Sequence, residues 1–286
     1  MLLITGASGN LGKSTIDFLL KHLQPEQVGA MVRNPDKAGA LTSRNVPLRQ
    51  ADYEDYPSLQ KVFEGVEKLL FISTSVTGEE RTRQHSNVVK AAHEAGIRHI
   101  YYTSIVNPSA DATFGATPGH FETEKAIKET GITYTFFRNN LYLDLLPDIA
   151  GNAVESGSLY FAGGEQRAGF VLREDIAEAI AKVILRKEQE SQVYTISAPQ
   201  TYSFYDVAVA LSKAANKPVK YIPISTDYMR KSMKDAQVPA PVIDISTNMA
   251  DALQKGEFDY PDNTLRSILQ REPVDVETFL KQFYNM

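Results

Sequence analysis

Seven residues near the N-terminus, Gly6-Ala7-Ser8-Gly9-Asn10-Leu11-Gly12, constrain the fold more than any other stretch. They follow the apolar run Leu2-Leu3-Ile4 and lead into a pattern that places Ile16, Leu19, Leu20 and Leu23 on one helical face. Strand, glycine turn and helix in this order form a cradle for a dinucleotide. Gly6 permits the tight turn, Gly9 lets backbone approach a pyrophosphate, and Gly12 allows close packing of the helix. The helix then directs its N-terminal N–H groups, and the positive end of its dipole, at the phosphates. All seven residues, Ala7, Ser8, Asn10 and Leu11 included, are therefore expected to contact the cofactor.

The remaining pattern extends this unit. Strands are expected at Val28–Val32, Val46–Gln50, Lys68–Ser73, His99–Ser104, Thr133–Phe137 and Gln192–Ser197, with helical patterns between them. Gly65, Gly96 and Gly131 each fall between a helix and a strand, where a left-handed C-cap is needed. Alternating strands and helices with short connections predict a doubly wound α/β fold around a mostly parallel sheet. Sixteen of the 17 glycines lie at or before Gly169, and the tail carries prolines between amphipathic helices. One helix is announced by the capping pair Ser203 and Asp206. The expected division is a nucleotide-binding domain over 1–139 and 171–197, with a smaller, mostly helical lobe over 140–170 and 198–286.

Composition narrows the function. A length of 286 residues can bury roughly three quarters of the unfolded surface. Net charge of -5 argues against a nucleic-acid partner, and no apolar run reaches membrane-spanning length. The absence of cysteine excludes disulfides and thiolate chemistry, and the five histidines show no metal-ligand spacing. A cytoplasmic location and no bound metal are expected.

Cofactor choice is read at the strand ends. Arg33 ends the second strand, where an acid would favour NAD, and Lys37 follows one turn later. Cations there suit a 2′-phosphate and hence NADP(H). Asp52 closes the third strand within reach of an adenine amino group, or serves there as a turn-former. Ser73, Thr74 and Ser75 close the fourth, and their backbone groups are expected to line the cofactor.

These residues, together with VRNPDKA, RQADYED, KLLFIST, QHSNVVKAA, YYTS, HFETEKAIKETGITYTFFRNN and REDIAEAIAKVI, resemble the NmrA-like branch of the atypical short-chain dehydrogenases. Within that branch the chain is most similar to bacterial NADPH-dependent quinone oxidoreductases of the type 2 kind. The resemblance implies a Rossmann core, NADPH as cofactor and a cleft facing the C-terminal lobe. It places Phe137, Arg138, Asn139, Asn140, Leu141 and Tyr142 beside the nicotinamide. Ser104 matches the superfamily's catalytic serine, but the tyrosine four residues before a lysine is missing, and Ser104 is then equally a strand end that faces the cofactor. The matching stretch reads Phe121-Glu122-Thr123-Glu124-Lys125, and none of the 14 tyrosines has lysine at that offset.

The expected activity is hydride transfer to a quinone-like small molecule. The competing possibility is a redox sensor that binds NADP(H) without turnover. A sugar-nucleotide epimerase or carbonyl reductase is disfavoured by the missing tyrosine. Hydride addition to a quinone gives a delocalised, phenolate-like anion, so oxyanion donors suffice; Asn139, Asn140 and Lys125 are the candidates. Tyr142 and Phe161 are candidate walls for the ring, and His120 is a third substrate-side candidate. The chain is compatible with a homodimer, although its sequence does not fix the oligomeric state.

Overall fold

Strands buried along their length need cover on both faces. Leu2–Ile4 (β1), Val28–Val32 (β2) and His99–Ile105 (β5) are buried along their whole length, and Lys68–Phe71 (β4) along all but its first residue. With Leu48–Gln50 (β3), Thr133–Asn139 (β6) and Gln192–Ile196 (β7) they form one sheet in the order β7-β6-β5-β4-β1-β2-β3. The β1–β2, β1–β4, β2–β3, β4–β5 and β5–β6 pairs are all parallel. The sequence pattern begins β3 at Val46, but ladder pairing starts at Leu48. Pro47 accepts a hydrogen bond from the Ala30 amide at 2.9 Å and has no N–H to return.

This computed structural model describes residues 1–187 and 190–284. They divide into two compact units, Met1–Ala110, Pro118–Asn139 and Arg173–Thr195 forming the first, and Asp111–Thr117, Asn140–Leu172 and Ile196–Met286 the second. In the first, helix Asn10–Leu19 (α1) buries Leu11, Thr15, Ile16 and Leu19 and packs against helix Arg173–Ile184 (α5). Helices Tyr56–Phe63 (α2), Gly78–Glu94 (α3) and Thr117–Glu129 (α4) complete the cover. Leu59 and Phe63 of α2, Val88 and Ala92 of α3 and Ile127 of α4 join Leu3, Phe71, Tyr102 and Phe136 in one core. Gly65, Gly96 and Gly131 have φ of 69°, 70° and 74°, the left-handed conformation their positions demand.

The second unit holds the helices Phe204–Ala215 (α6), Thr226–Asp235 (α7), Ala240–Gln254 (α8), Thr264–Leu269 (α9) and Val276–Tyr284 (α10). Ser203 and Asp206 cap α6 reciprocally, the Ser203 amide donating to Asp206 Oδ2 and the Asp206 amide to Ser203 Oγ. Three short ladders accompany the helices, pairing 141–142 with 170–171, 167–168 with 202–203 and 158–161 with 220–223. The sequence pattern gives no sign of them, because strands of two to four residues have too short a run for a period to be read.

Segment 111–117 is a second departure from expectation. It follows β5 but belongs to the second unit. The Glu257 carboxylate accepts from the Thr113 and Phe114 amides at 2.6 and 3.1 Å. Asn248 donates to the Thr113 carbonyl and accepts from the Gly115 amide. Among the described residues no helix is long and apolar enough to cross a membrane, and no cluster of three histidine or acidic side chains is arranged to hold a metal.

Candidate cofactor and substrate site

The glycine turn has the shape that its composition implies. Gly6 has φ of +58°, and an added Cβ would lie 3.2 Å from Ile72. At Gly12 a Cβ would lie 2.5 Å from the Gly6 carbonyl oxygen and 2.8 Å from Ala7 Cα. Gly12 is therefore required by contact between the helix and its own entry turn. Gly9 is the N-cap of α1 and offers no side-chain cap, so the first-turn N–H groups are left for another acceptor. Gly6, Ser8, Gly9 and Asn10 are exposed, while Ala7, Leu11 and Gly12 are buried. Exposed backbone donors at a helix start, with no acid in the first turn, fit a dinucleotide phosphate.

Arg33 directly follows β2 with its side chain exposed, and among the described residues no acid pairs with it. The adjoining turn is set by Asn34 Oδ1, which accepts from the Asp36 amide at 2.9 Å. Lys37 lies in that turn, its side chain outside the described residues. Asp52 caps its own turn, Oδ1 accepting from the Glu54 amide at 3.0 Å.

The loop after β4 corrects one expectation. The backbone N–H groups of Ile72, Ser73 and Thr74 do not face a ligand, because side chains of the same unit take them. They donate to Thr5 Oγ1 at 3.0 Å, Thr103 Oγ1 at 2.9 Å and His85 Nε2 at 3.1 Å. What Ser73, Thr74 and Ser75 can present are their hydroxyls, the remaining carbonyls and the Ser75 N–H; Ser75 is exposed and the other two half-buried.

At the far ends of β5 and β6, Ser104 and Arg138 are register partners on one face of the sheet. Both meet Glu124 of α4. Ser104 Oγ donates to Glu124 Oε1 at 2.7 Å, and Arg138 grips the carboxylate through Nε at 2.9 Å and Nη2 at 2.7 Å. A carboxylate that accepts three hydrogen bonds is not a proton donor, and the Ser104 hydroxyl hydrogen is committed to it. Lys125, the next residue, is exposed, as is Phe121 one turn earlier. Phe137 is fully buried and stacks on Tyr194, with ring centroids 6.0 Å apart.

The two asparagines that follow behave differently. Asn139 closes the first unit with only 3% of its surface exposed, and neither its Oδ1 nor its Nδ2 has a hydrogen-bond partner among the described residues. Asn140 opens the second unit with a saturated carboxamide. Its Nδ2 donates to Ser197 Oγ and to the Phe258 carbonyl, both at 3.0 Å, and Oδ1 accepts from the Leu141 amide at 2.8 Å. A Cβ at Gly169 would press on this arrangement, 2.7 Å from Asn140 Nδ2. Asn140 is therefore a structural residue with no donor left for a substrate.

Two substrate-side expectations are corrected likewise. Phe161 is buried against Phe204, ring centroids 4.4 Å apart, inside an aromatic cluster that continues to Tyr221. His120 is 5% exposed and both ring nitrogens are engaged, Nε2 with Arg81 Nη2 and Nδ1 with the Tyr102 hydroxyl at 2.7 Å. Burial, with the Arg81 guanidinium beside it, pushes His120 well below the ordinary histidine range. Tyr142 stays half-buried in the 141–142 ladder strand. Arg81 lies outside the stretches that carry the family resemblance, and His85 lies within one of them, QHSNVVKAA, without a role of its own assigned by it.

The strand order, the glycine cradle and the acid-free start of α1 define a Rossmann-type dinucleotide-binding protein. The chain matches the NmrA-like family over residues 1–280 and belongs to it. It is 33% identical to Quinone oxidoreductase 2 of Escherichia coli over 286 residues, covering 100% of this chain and 99% of that one. The NADPH-dependent quinone oxidoreductase of E. coli in complex with NADPH superposes with a TM-score of 0.94 at 33% identity, covering 100% of both chains. The triphenylmethane reductase of Citrobacter sp. in complex with NADP(H) gives 0.93 at 35% identity, covering 99% of each.

Proposed function

We propose that this protein is an NADPH-dependent reductase that transfers hydride to a quinone or a similarly conjugated acceptor. The observation that carries the reading is the buried, unpartnered carboxamide of Asn139 at the end of β6; across the sheet, on the face of Ser104 and Arg138, the Glu124 carboxylate already takes both side chains. The region has a donor to offer and no acid. An unsatisfied buried amide costs about 1–3 kcal/mol, so its retention is understandable where a ligand completes its bonds.

The glycine turn and the α1 start would hold the pyrophosphate. Arg33 and Lys37 would take the 2′-phosphate, Asp52 would lie toward the adenine, and the Ser73–Ser75 loop, Ser104 and Phe137 would shape the remainder. Bound NADPH supplies the hydride. Asn139 Nδ2 would donate to the oxygen on which charge develops, while the Arg138 guanidinium is committed to Glu124 on the other face of the strand. Lys125 adds an exposed cation. The reduced anion of a quinone has a conjugate acid near pKa ~10 by analogy with tyrosine, so it takes its proton from water after hydride transfer. The names of the E. coli and Citrobacter proteins support this substrate class, since quinones and triphenylmethane dyes are both extended conjugated electrophiles. A cytoplasmic setting, with NADPH at hand, suits the reaction.

Asn139→Ala tests the assignment. The expected result is a fall in quinone kcat of roughly tenfold to a hundredfold, the worth of one oxyanion donor or somewhat less, with NADPH affinity changed by less than about threefold. An unchanged kcat would remove Asn139 from the reaction.

A further inference from the structure

The side chains that seize the β4 loop form one buried network that no step of the hydride transfer uses. Arg81 is 3% exposed, His85 1% and His120 5%. Arg81 Nη1 donates to two carbonyls of the loop, Thr74 O at 3.0 Å and Val76 O at 2.9 Å. His85 Nε2 accepts from the Thr74 amide, so both polar groups of that residue's backbone are drawn inward. The same hydrogen bond fixes the His85 tautomer. Its Nδ1 carries the proton and donates to Thr123 Oγ1 at 2.8 Å, and Thr123 passes its own hydrogen to the Gly119 carbonyl at 2.6 Å. His120 is fixed in the same way. Arg81 can only donate, so His120 Nε2 must be the acceptor, leaving Nδ1–H for the Tyr102 hydroxyl. Both imidazoles are thereby neutral, a state that burial and the neighbouring guanidinium favour independently.

From this geometry we infer that Arg81, His85 and His120 are positioning residues that preform the cofactor-lining loop Ser73–Val76, with the lone pair of neutral His120 orienting Arg81. The inference rests on the proposed placement of NADPH against that loop. A loop between a strand and a helix otherwise loses conformational entropy on binding, and a network already in place removes that cost from the cofactor's affinity. It also explains a lasting burial of Arg81 that packing alone would not favour. Gly119 belongs to the same device, since a Cβ there would lie 2.7 Å from Arg81 Cδ.

The test is NADPH affinity by titration calorimetry on the full-length protein, with unfolding curves taken alongside. Arg81→Gln removes the charged double contact and is expected to weaken NADPH about tenfold in a protein that remains folded. KM for NADPH should rise by more than kcat falls. His120→Leu should follow it, while His120→Gln, which retains a neutral acceptor for Arg81, should stay within about twofold of the parent. A purely structural network would lower the unfolding midpoint and leave the affinity of the folded protein unchanged, and that result would overturn the inference. If Arg81→Gln does not fold, the two His120 variants decide: unequal affinities support the orienting role and equal ones contradict it. Absence of NADPH binding by the parent protein would instead overturn the cofactor assignment, and this inference with it.

Discussion

At the scale of single residues, Arg33 is the side chain proposed to set cofactor choice. It stands exposed at the end of β2 with no acid paired to it among the described residues. A guanidinium in that position can hold a 2′-phosphate with two charge-assisted hydrogen bonds, together worth on the order of 1.5–3 kcal/mol. Arg33→Ala should therefore weaken NADPH by about tenfold to a hundredfold and leave NADH nearly untouched, as measured by paired titrations. Equal losses for the two cofactors would make Arg33 a structural residue. The exposed place of Arg33 just past the strand was legible in the sequence because it follows from local order, strand then turn; the surroundings of Asn140 and His120 were not. The partners that saturate Asn140, Ser197 and Phe258, lie 57 and 118 positions away, and Arg81 lies 39 positions from His120. No periodicity records such pairs, so a polar residue at a strand exit or helix start reads as available until its long-range partners are seen.

At the scale of elements, α1 and its entry turn act as one object. Gly12 contacts the backbone of Gly6 and Ala7, so a methyl group there pushes the first helical turn away from the glycine loop. Gly12→Ala is expected to cost about 1–3 kcal/mol in urea unfolding and to weaken NADPH, because the same backbone makes both the helix packing and the cradle. Retention of parental stability and affinity together would show that the turn yields freely. The C-cap glycines and the Ser203–Asp206 capping box could be read directly from the chain, since each is decided within one helical turn. Segment 111–117 could not, because Glu257 and Asn248 hold it from more than 130 positions away. The short ladders of the second unit escaped for the opposite reason, being too brief to carry a pattern.

For the molecule as a whole, three buried histidines link stability to pH. Burial, and then the Arg81 guanidinium, hold His85 and His120 well below the ordinary range; burial, followed by nearby Lys68, pushes His99 down to about 4. In the unfolded chain each takes up a proton near pH ~6.5, while the native protein resists it. Below that pH the unfolded state binds more protons, so stability is greatest above it and falls as pH decreases, for His99 until about pH 4. Each histidine contributes a slope of about 1.4 kcal/mol per pH unit in this window. Urea midpoints at pH 7.5, 6.5 and 5.5 should fall in that order, more steeply over the second interval. A flat profile would mean that these imidazoles charge in the native state.

The claim that unites these scales is that the site reduces conjugated acceptors because it supplies an oxyanion donor without an acid. A redox sensor with the same cradle would bind NADPH and not consume it. The direct measurement is NADPH oxidation at 340 nm with a simple quinone and, in parallel, with an unconjugated ketone at equal concentration. Turnover with the quinone and none above background with the ketone is the expected result. Efficient ketone reduction would require a proton donor that the Ser104–Glu124–Arg138 triad does not provide, and absence of quinone turnover with NADPH bound would contradict the reductase itself.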